Sequence, residues 1–135
     1  LNQGTVELQG TPSLMTITDG TGHTELTTEP KASIERLTGW NIPLAALPDW
    51  IRGLPHKMAA NGRISTQLKA RFTTRGFIKD FHEEGWLIEY ESYLPVPGHD
   101  LYLPHKITVS QGSTRLKLFI DSWQVSRQQT NGASP

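Results

Sequence analysis

Several acid and base side chains in this sequence could take part in chemistry. An imidazole next to a carboxylate is a common pair for general acid–base catalysis, and both groups are ligands for divalent metal ions. The residues concerned are His82, Glu83, Glu84, Glu89, Glu91, His99, Asp100 and His105. Their closeness along the chain raises the hypothesis of a catalytic or metal-binding site.

The positions of these residues argue against that hypothesis. Glu83 and Glu84 fall in a predicted hairpin turn, where we expect carboxylates to be hydrated. Glu89 and Glu91 alternate with apolar residues in a predicted strand and therefore belong to its polar face. The sequence contains no His-Glu-x-x-His, no Gly-x-Ser-x-Gly, no phosphate-binding glycine loop and no cysteine. We therefore predict no enzymatic activity, no cofactor and no metal site.

Length and charge restrict the remaining classes of function. The chain has 135 residues, which is enough for one domain, and 13 basic residues balance 13 acidic ones. A formal charge of zero gives no overall field that attracts nucleic acid, so we predict no nucleic-acid binding. No segment approaches the about 18 consecutive apolar residues of a membrane-spanning helix. The sequence begins at Leu1 without a methionine or a signal-peptide pattern, and we expect a segment to precede it.

The first part of the chain predicts short strands followed by two short helices. Alternating segments between turns that contain glycine and aspartate predict strands at 5–9, 13–18 and 24–27. Pro30 suits a first helical turn and predicts a helix over 30–38. A helical turn at 44–47 then leads into a helix that ends at Gly53, because Pro48 is tolerated only within a first turn.

In the second half the apolar period returns to two, which is typical of strands with one buried face. We predict strands at 64–72, 77–82, 86–91, 106–110 and 114–125. Residues 126–135 lack an apolar period and are predicted to be a flexible tail. The pattern indicates a mainly β fold over residues 1–125, an antiparallel sheet with short helices on one side, which either closes into a barrel or curls so that the helices fill its concave face.

Two sets of apolar positions face the predicted interior. The inner strand set is Val6, Leu8, Leu68, Phe72, Trp86, Ile88, Tyr90, Leu116, Leu118 and Ile120. The helical set is Ile34, Leu37, Trp40, Leu44, Leu47, Trp50 and Ile51. The simplest interpretation is an ordinary core, because alternating strands bury apolar side chains in every β domain. Trp40 and Trp50 either lie at the rim of the helices or pack between helix and sheet.

Two long blocks in the middle of the chain carry a family resemblance. They are LTGWNIPL at 37–44 and LPDWIRGLP at 47–55. Three later segments agree with them in order and spacing: GWLIEY at 85–90, LPHK at 103–106 and RLKLFIDSW at 115–123. Together these segments resemble the LolB family of outer-membrane lipoprotein receptors, from near the start of the chain to about Val125.

The resemblance implies a fold in which a curved antiparallel sheet forms an incomplete barrel, with short helices covering the concave face. It also implies a receptor in Gram-negative bacteria that accepts lipoproteins from the periplasmic carrier LolA. It would hold their acyl chains in an apolar cavity and insert them into the inner leaflet of the outer membrane. The inner strand set would line the cavity, the helical set would form a lid, and Leu1 would be the membrane-inserting leucine of an exposed loop.

Relatives carry a lipidated cysteine and further strands upstream. The resemblance therefore implies a monomer at the periplasmic face of the outer membrane, anchored through a cysteine that this sequence lacks, with the present segment itself soluble. Two alternatives remain open. One is a soluble periplasmic carrier of small hydrophobic ligands, and the other is a structural domain with a filled core and no void beneath its helices.

Overall fold

A computed structural model of the chain describes residues 4–11, 13–38, 43, 45–57 and 61–123. The strands are β1 (Gly4–Thr11), β2 (Leu14–Thr18), β3 (Thr24–Thr27), β4 (Arg71–Phe72), β5 (Ile78–Glu83), β6 (Trp86–Pro95), β7 (Tyr102–Gln111) and β8 (Thr114–Ile120). Two α-helices, α1 (Pro30–Thr38) and α2 (Leu47–Ile51), and a short 3-10 helix (Thr66–Leu68) lie between β3 and β4. The tail predicted at 126–135 lies outside the described residues.

The strands form one sheet in the order β3-β2-β1-β8-β7-β6-β5-β4. In the part of the chain that the structure describes, β3 and β4 are the two edges and do not pair with each other. This open, mainly β architecture with two short helices confirms the predicted incomplete barrel.

One pairing differs from the antiparallel arrangement that the sequence predicted. β1 and β8 are parallel, with Val6 opposite Leu116 and Leu8 opposite Leu118. Strands β4 to β8 follow one another across the sheet from the edge opposite β3, so β8 lies beside β1. The relative direction of β1 and β8 therefore follows from the connection through the helices and not from a hairpin.

Alternation of side chains explains how the sheet forms its core. In β8, Leu116, Leu118 and Ile120 are at most 1% exposed, whereas the residues between them are partly exposed. Short turns hold the neighbouring strands in register. Glu84 and Gly85 both have positive φ, 56° and 83°, which matches the twist that a two-residue hairpin between β5 and β6 requires.

The two helices cover the inner face of this sheet. Helix α1 has the predicted bounds, and Ile34 on it is fully buried. Helix α2 begins at Leu47 and carries Pro48 in its first turn, where the missing N–H removes no helical hydrogen bond. Leu47 and Trp50 join the same buried cluster as the inner residues of the strands.

The predicted strand at 64–72 is wrong. The Ser65 hydroxyl accepts a hydrogen bond from the Gln67 amide and starts the 3-10 helix, and Lys69 then adopts a positive φ of 51°. A left-handed residue interrupts extended backbone, so only Arg71–Phe72 pairs with β5. The last strand is also shorter than predicted, because β8 ends at Ile120.

Candidate functional site

An open cleft of about 700 Å³ lies between the two helices and the β1–β8 pair. Its apolar lining comes from both layers, and its rim carries charged side chains. The lining residues are Leu8, Thr28, Glu29, Pro30, Lys31, Ala32, Glu35, Leu47, Pro48, Ile51, Arg52, Leu118 and Trp123. A concave, largely apolar site of this volume is typical of small-ligand and lipid sites.

The base of the cleft is set by the parallel strand pair. Leu8 and Leu118 are register partners in β1 and β8, so their side chains lie side by side on the inner face. Both are fully buried, and they form the base of the cleft beneath its open surface. Trp123, just after β8, forms a side wall. Its indole Nε1 donates a hydrogen bond to the Pro104 carbonyl oxygen at 2.8 Å, which fixes the ring's orientation.

Charges at the rim of the cleft balance each other. Two acidic residues, Glu29 and Glu35, and two basic residues, Lys31 and Arg52, belong to the lining. Arg52 also pairs with Asp49 at 2.5 Å, one turn earlier in α2. The hydrogen bond from His56, and then the Arg52 pair, lower the pKa of Asp49. The rim therefore does not select strongly for one sign of charge, and apolar contact dominates the site.

Helix α2 is held on the sheet by a buried carboxylate. Glu83 is 5% exposed and accepts hydrogen bonds at 2.7 Å from the Trp50 indole and from the backbone amides of His56 and Lys57. The Tyr90 hydroxyl donates to the Trp50 carbonyl oxygen at 2.6 Å, and burial raises the pKa of that tyrosine. The prediction that the Glu83 carboxylate is hydrated is wrong, because the segment after α2 folds over the end of β5 and buries it.

The structure divides the two predicted residue sets. Leu8 and Leu118 from the inner strand set, and Leu47 and Ile51 from the helical set, line the cleft. The other described members that are buried pack together as core: Val6, Leu68, Trp86, Ile88, Tyr90, Leu116, Ile120, Ile34 and Trp50.

Some predicted positions fall elsewhere. The inward placement predicted for Phe72 is wrong, since it is 52% exposed on the two-residue edge strand β4. Trp50 is 0% exposed, which favours helix-to-sheet packing over a place at the rim. Leu1, Trp40, Leu44 and the Leu37 side chain lie outside the described residues, and their roles stay predictions.

Sequence reasoning missed Trp123 and Glu83. A strand predicted over 114–125 with a period of two places Trp123 on the face opposite Leu116, Leu118 and Ile120. The strand ends at Ile120, and beyond it the period of two no longer applies. For Glu83, a useful signal was present, since a turn carboxylate close to buried strands can accept hydrogen bonds from a neighbouring segment.

Within the described ranges, no group of three or more His, Cys, Asp or Glu residues is arranged to hold a metal ion. His82 is exposed, whereas Glu83 next to it is buried. No helix in the described part of the chain combines the length and apolar character needed to cross a bilayer.

The fold and the cleft together define a class: open β-barrel proteins with an apolar cleft beneath a helical cover. A family model described as outer membrane lipoprotein LolB matches residues 1–123. The chain belongs to the LolB family.

Similar curated proteins agree with this assignment. The outer-membrane lipoprotein LolB of Marinobacter nauticus is 31% identical over 92% of this chain and 56% of its own length. The protein of the same name from Aeromonas hydrophila is 33% identical over 90% of this chain and 57% of its own length. That from Chromohalobacter salexigens is 30% identical over 90% and 52%. The chain thus spans about half the length of these relatives.

Proposed function

We propose that this chain is the acyl-chain-binding part of an outer-membrane lipoprotein receptor. It accepts lipoproteins from the periplasmic carrier LolA, holds their acyl chains in the cleft and releases them into the inner leaflet of the outer membrane. The observation that carries the proposal is the 700 Å³ apolar cleft between the helices and the β1–β8 pair. Family membership over residues 1–123 adds the lipoprotein context.

The physics of the cleft suits a hydrocarbon chain. Each methylene removed from water contributes about 0.8 kcal/mol whatever its exact position, so an apolar wall is enough and no fixed polar geometry is needed. A tail that places about eight methylenes in the cleft would gain about 6 kcal/mol before the costs of binding. The costs of binding offset part of this gain, so the tail would be held reversibly.

Catalysis has no part in this proposal. Transfer needs only a difference in affinity between donor, receptor and membrane. The protein would act at the outer membrane, which the names of its relatives mention, and we propose that it does so from the periplasmic face.

A fluorescent fatty-acid probe tests binding in the cleft. Ile51 and Ile64 are both partly buried isoleucines that pack against the core, but only Ile51 lines the cleft. We expect Ile51→Ser to weaken binding of the probe about tenfold, through the loss of apolar contact. Ile64→Ser should leave the affinity within about twofold. Equal effects of the two variants, or no binding by the unmodified chain, would contradict the proposal.

The alternative of a soluble carrier for small hydrophobic ligands also draws on the volume of the cleft, which lies in the small-ligand range. Transfer separates the two functions. Incubation with a radiolabelled lipoprotein bound to LolA should move the lipoprotein onto the receptor. A general carrier would bind free fatty acid and leave that lipoprotein on LolA.

A further inference from the structure

The side wall that Trp123 gives the cleft depends on how the chain leaves β8. Leu118 and Ile120 are buried on the inner face, so a continued period of two would place Trp123 on the outer face. The Trp123 side chain instead lines the cleft and packs against the buried core. The chain therefore turns between Ile120 and Trp123, and contacts of this short segment must hold the turn in place.

The His105 side chain holds the end of β8 on β7. The last register pair of these two strands is Lys106 with Phe119. One residue further along, His105 Nδ1 lies 2.5 Å from the Ile120 carbonyl oxygen. Because a carbonyl oxygen only accepts, Nδ1 carries the proton and donates. An imidazole thus bonds the backbone at the point where the ladder between the strands ends, and the residues beyond it lie outside that ladder.

Two further hydrogen bonds fix the turn itself. The Asp121 amide donates to the Gly10 carbonyl oxygen of β1 at 2.6 Å, and the Trp123 indole donates to the Pro104 carbonyl oxygen of β7 at 2.8 Å. Pro104 directly precedes His105, so two consecutive residues of β7 hold the backbone and the indole of the same segment. The segment is therefore bonded to both neighbours of β8, and its indole is held in one orientation.

Most of the other apolar lining has little freedom to adapt. Pro30 and Pro48 have rigid rings, and Leu8, Leu47 and Leu118 are buried in the core. Among the described residues the lining contains no methionine, the residue that lets a site fit ligands of different shapes. A site with fixed walls discriminates between ligands by steric exclusion.

We propose that Trp123 determines which hydrocarbon chains the cleft accepts, and that His105 positions Trp123 for this role. The flat face of the held indole packs along a straight methylene chain, whereas methyl branches meet a ring that does not move aside. The cleft therefore selects unbranched acyl chains over branched ones. The inference rests on the proposed function and names the class of acyl chain that the same cleft takes.

Burial alone predicts the opposite preference. Phytanic acid has the main chain of hexadecanoic acid with added methyl branches, so it offers more apolar surface to an adaptable site and would bind there more tightly. Tighter binding of hexadecanoic acid therefore requires steric exclusion of the branches. The ratio of the two dissociation constants, which we call the branch ratio, measures this exclusion.

Competition with the fluorescent fatty-acid probe gives the branch ratio. We expect the unmodified chain to bind hexadecanoic acid about tenfold more tightly than phytanic acid, and Trp123→Ala to reduce this preference to less than about twofold. Trp123 follows the last strand, so its truncation should leave the sheet in place. Equal or tighter binding of phytanic acid by the unmodified chain, or an unchanged branch ratio in Trp123→Ala, would overturn the role of Trp123.

Two substitutions of similar size test the positioning residue. In His105→Asn the side-chain amide nitrogen occupies the place of Nδ1 and still donates to the Ile120 carbonyl oxygen, whereas His105→Leu has no donor. We expect His105→Asn to keep the branch ratio and His105→Leu to lose it. His82→Leu, at an exposed histidine that does not line the cleft, should keep it. A branch ratio kept in His105→Leu, or lost in His105→Asn as well, would overturn the role of His105.

A merely structural role of His105 would weaken the binding of both acids and leave the branch ratio unchanged. The Trp123 indole N–H gives a second readout, since its hydrogen bond to Pro104 slows its exchange with solvent. With this proton assigned by NMR through Trp123→Phe, we expect its exchange to accelerate about tenfold in His105→Leu and to stay slow in His105→Asn. Equal exchange rates in the two variants would contradict the positioning of Trp123 by His105.

The proposed function and this inference fail in distinguishable ways. An unmodified chain that binds neither acid contradicts the proposed function and the inference with it. A chain that binds both acids equally contradicts the selection by Trp123 alone, and acyl-chain binding in the cleft stands.

Discussion

At the scale of single residues, hydrogen bonds to Glu83 hold helix α2 and the following segment on the sheet. Its two carboxylate oxygens accept one indole and two backbone N–H donors, all at 2.7 Å. We expect Glu83→Gln to reduce the free energy of unfolding by about 2–3 kcal/mol, since the amide places an N–H against a buried donor. Urea denaturation measures this loss.

The neighbouring Glu84 is the matched control for that experiment. It is an exposed carboxylate in the same hairpin, paired with Lys57 at 2.9 Å. Glu84→Gln should change stability much less, because a hydrated pair contributes little. Similar losses in the two variants would mean that Glu83 does not carry the attachment of α2.

Asp80 couples stability to pH. The Arg71 guanidinium donates hydrogen bonds of 2.6–3.2 Å to both of its carboxylate oxygens, and this lowers the pKa of Asp80 below its ordinary 3.8. A carboxyl with a lowered folded-state pKa stabilises the fold above its unfolded pKa, and that stabilisation is lost as the pH falls through the folded value.

The free energy of unfolding should therefore decrease as the pH is lowered from about 5 to below 3. Asp80→Asn should remove part of that decrease, as measured by denaturation at a series of pH values. An Asp80→Asn protein with the full acid sensitivity of the parent would disprove this origin.

At the scale of elements, the loop after α2 fits closely against β7. Gly53 has a φ of +89°, and a Cβ there would lie 3.1 Å from Cγ of Pro104. Gly22 has nearly the same φ, +91°, with open space around it. Alanine at either position incurs the backbone cost of about 1 kcal/mol, but only Gly53→Ala adds a clash. Thermal unfolding should show the larger loss for Gly53→Ala. Equal losses of stability in the two variants would argue against close packing of this loop on β7.

Local signals predicted some elements well. Pro30 and the apolar spacing of α1 gave its bounds, and the glycine turns gave the hairpins of the second half. The same reasoning failed for residues 64–72. Their alternation predicts a strand, but Ser65 and Lys69 cap a 3-10 helix instead. A residue's preference for the left-handed region depends on its surroundings, and the period of the sequence does not contain that information.

The candidate site was predictable only in part. Alternation identified Leu8 and Leu118 as inward residues but could not distinguish the base of a cleft from a filled core. That distinction depends on how far the helices stand from the sheet, which is a property of tertiary packing. Trp123 was missed because its role arises after its strand has ended.

At the scale of the whole molecule, the parallel β1–β8 pair joins the two halves of the sheet. Hydrogen exchange should therefore find β1 and β8 amides among the slowest, and those of the edge strands β3 and β4 among the fastest. If β1 exchanged as fast as β3, the central position of β1 would be wrong. This experiment needs only the folded chain.

The central claim is that the cleft beneath the helices holds hydrocarbon chains. Photo-cross-linking with a fatty acid that carries a diazirine on its chain, followed by mass spectrometry of the peptides, tests it most directly. We predict adducts on cleft residues, at Ile51, Pro48 and Trp123, that disappear with excess unlabelled fatty acid. Adducts scattered over the exterior, outside the cleft, would contradict the claim.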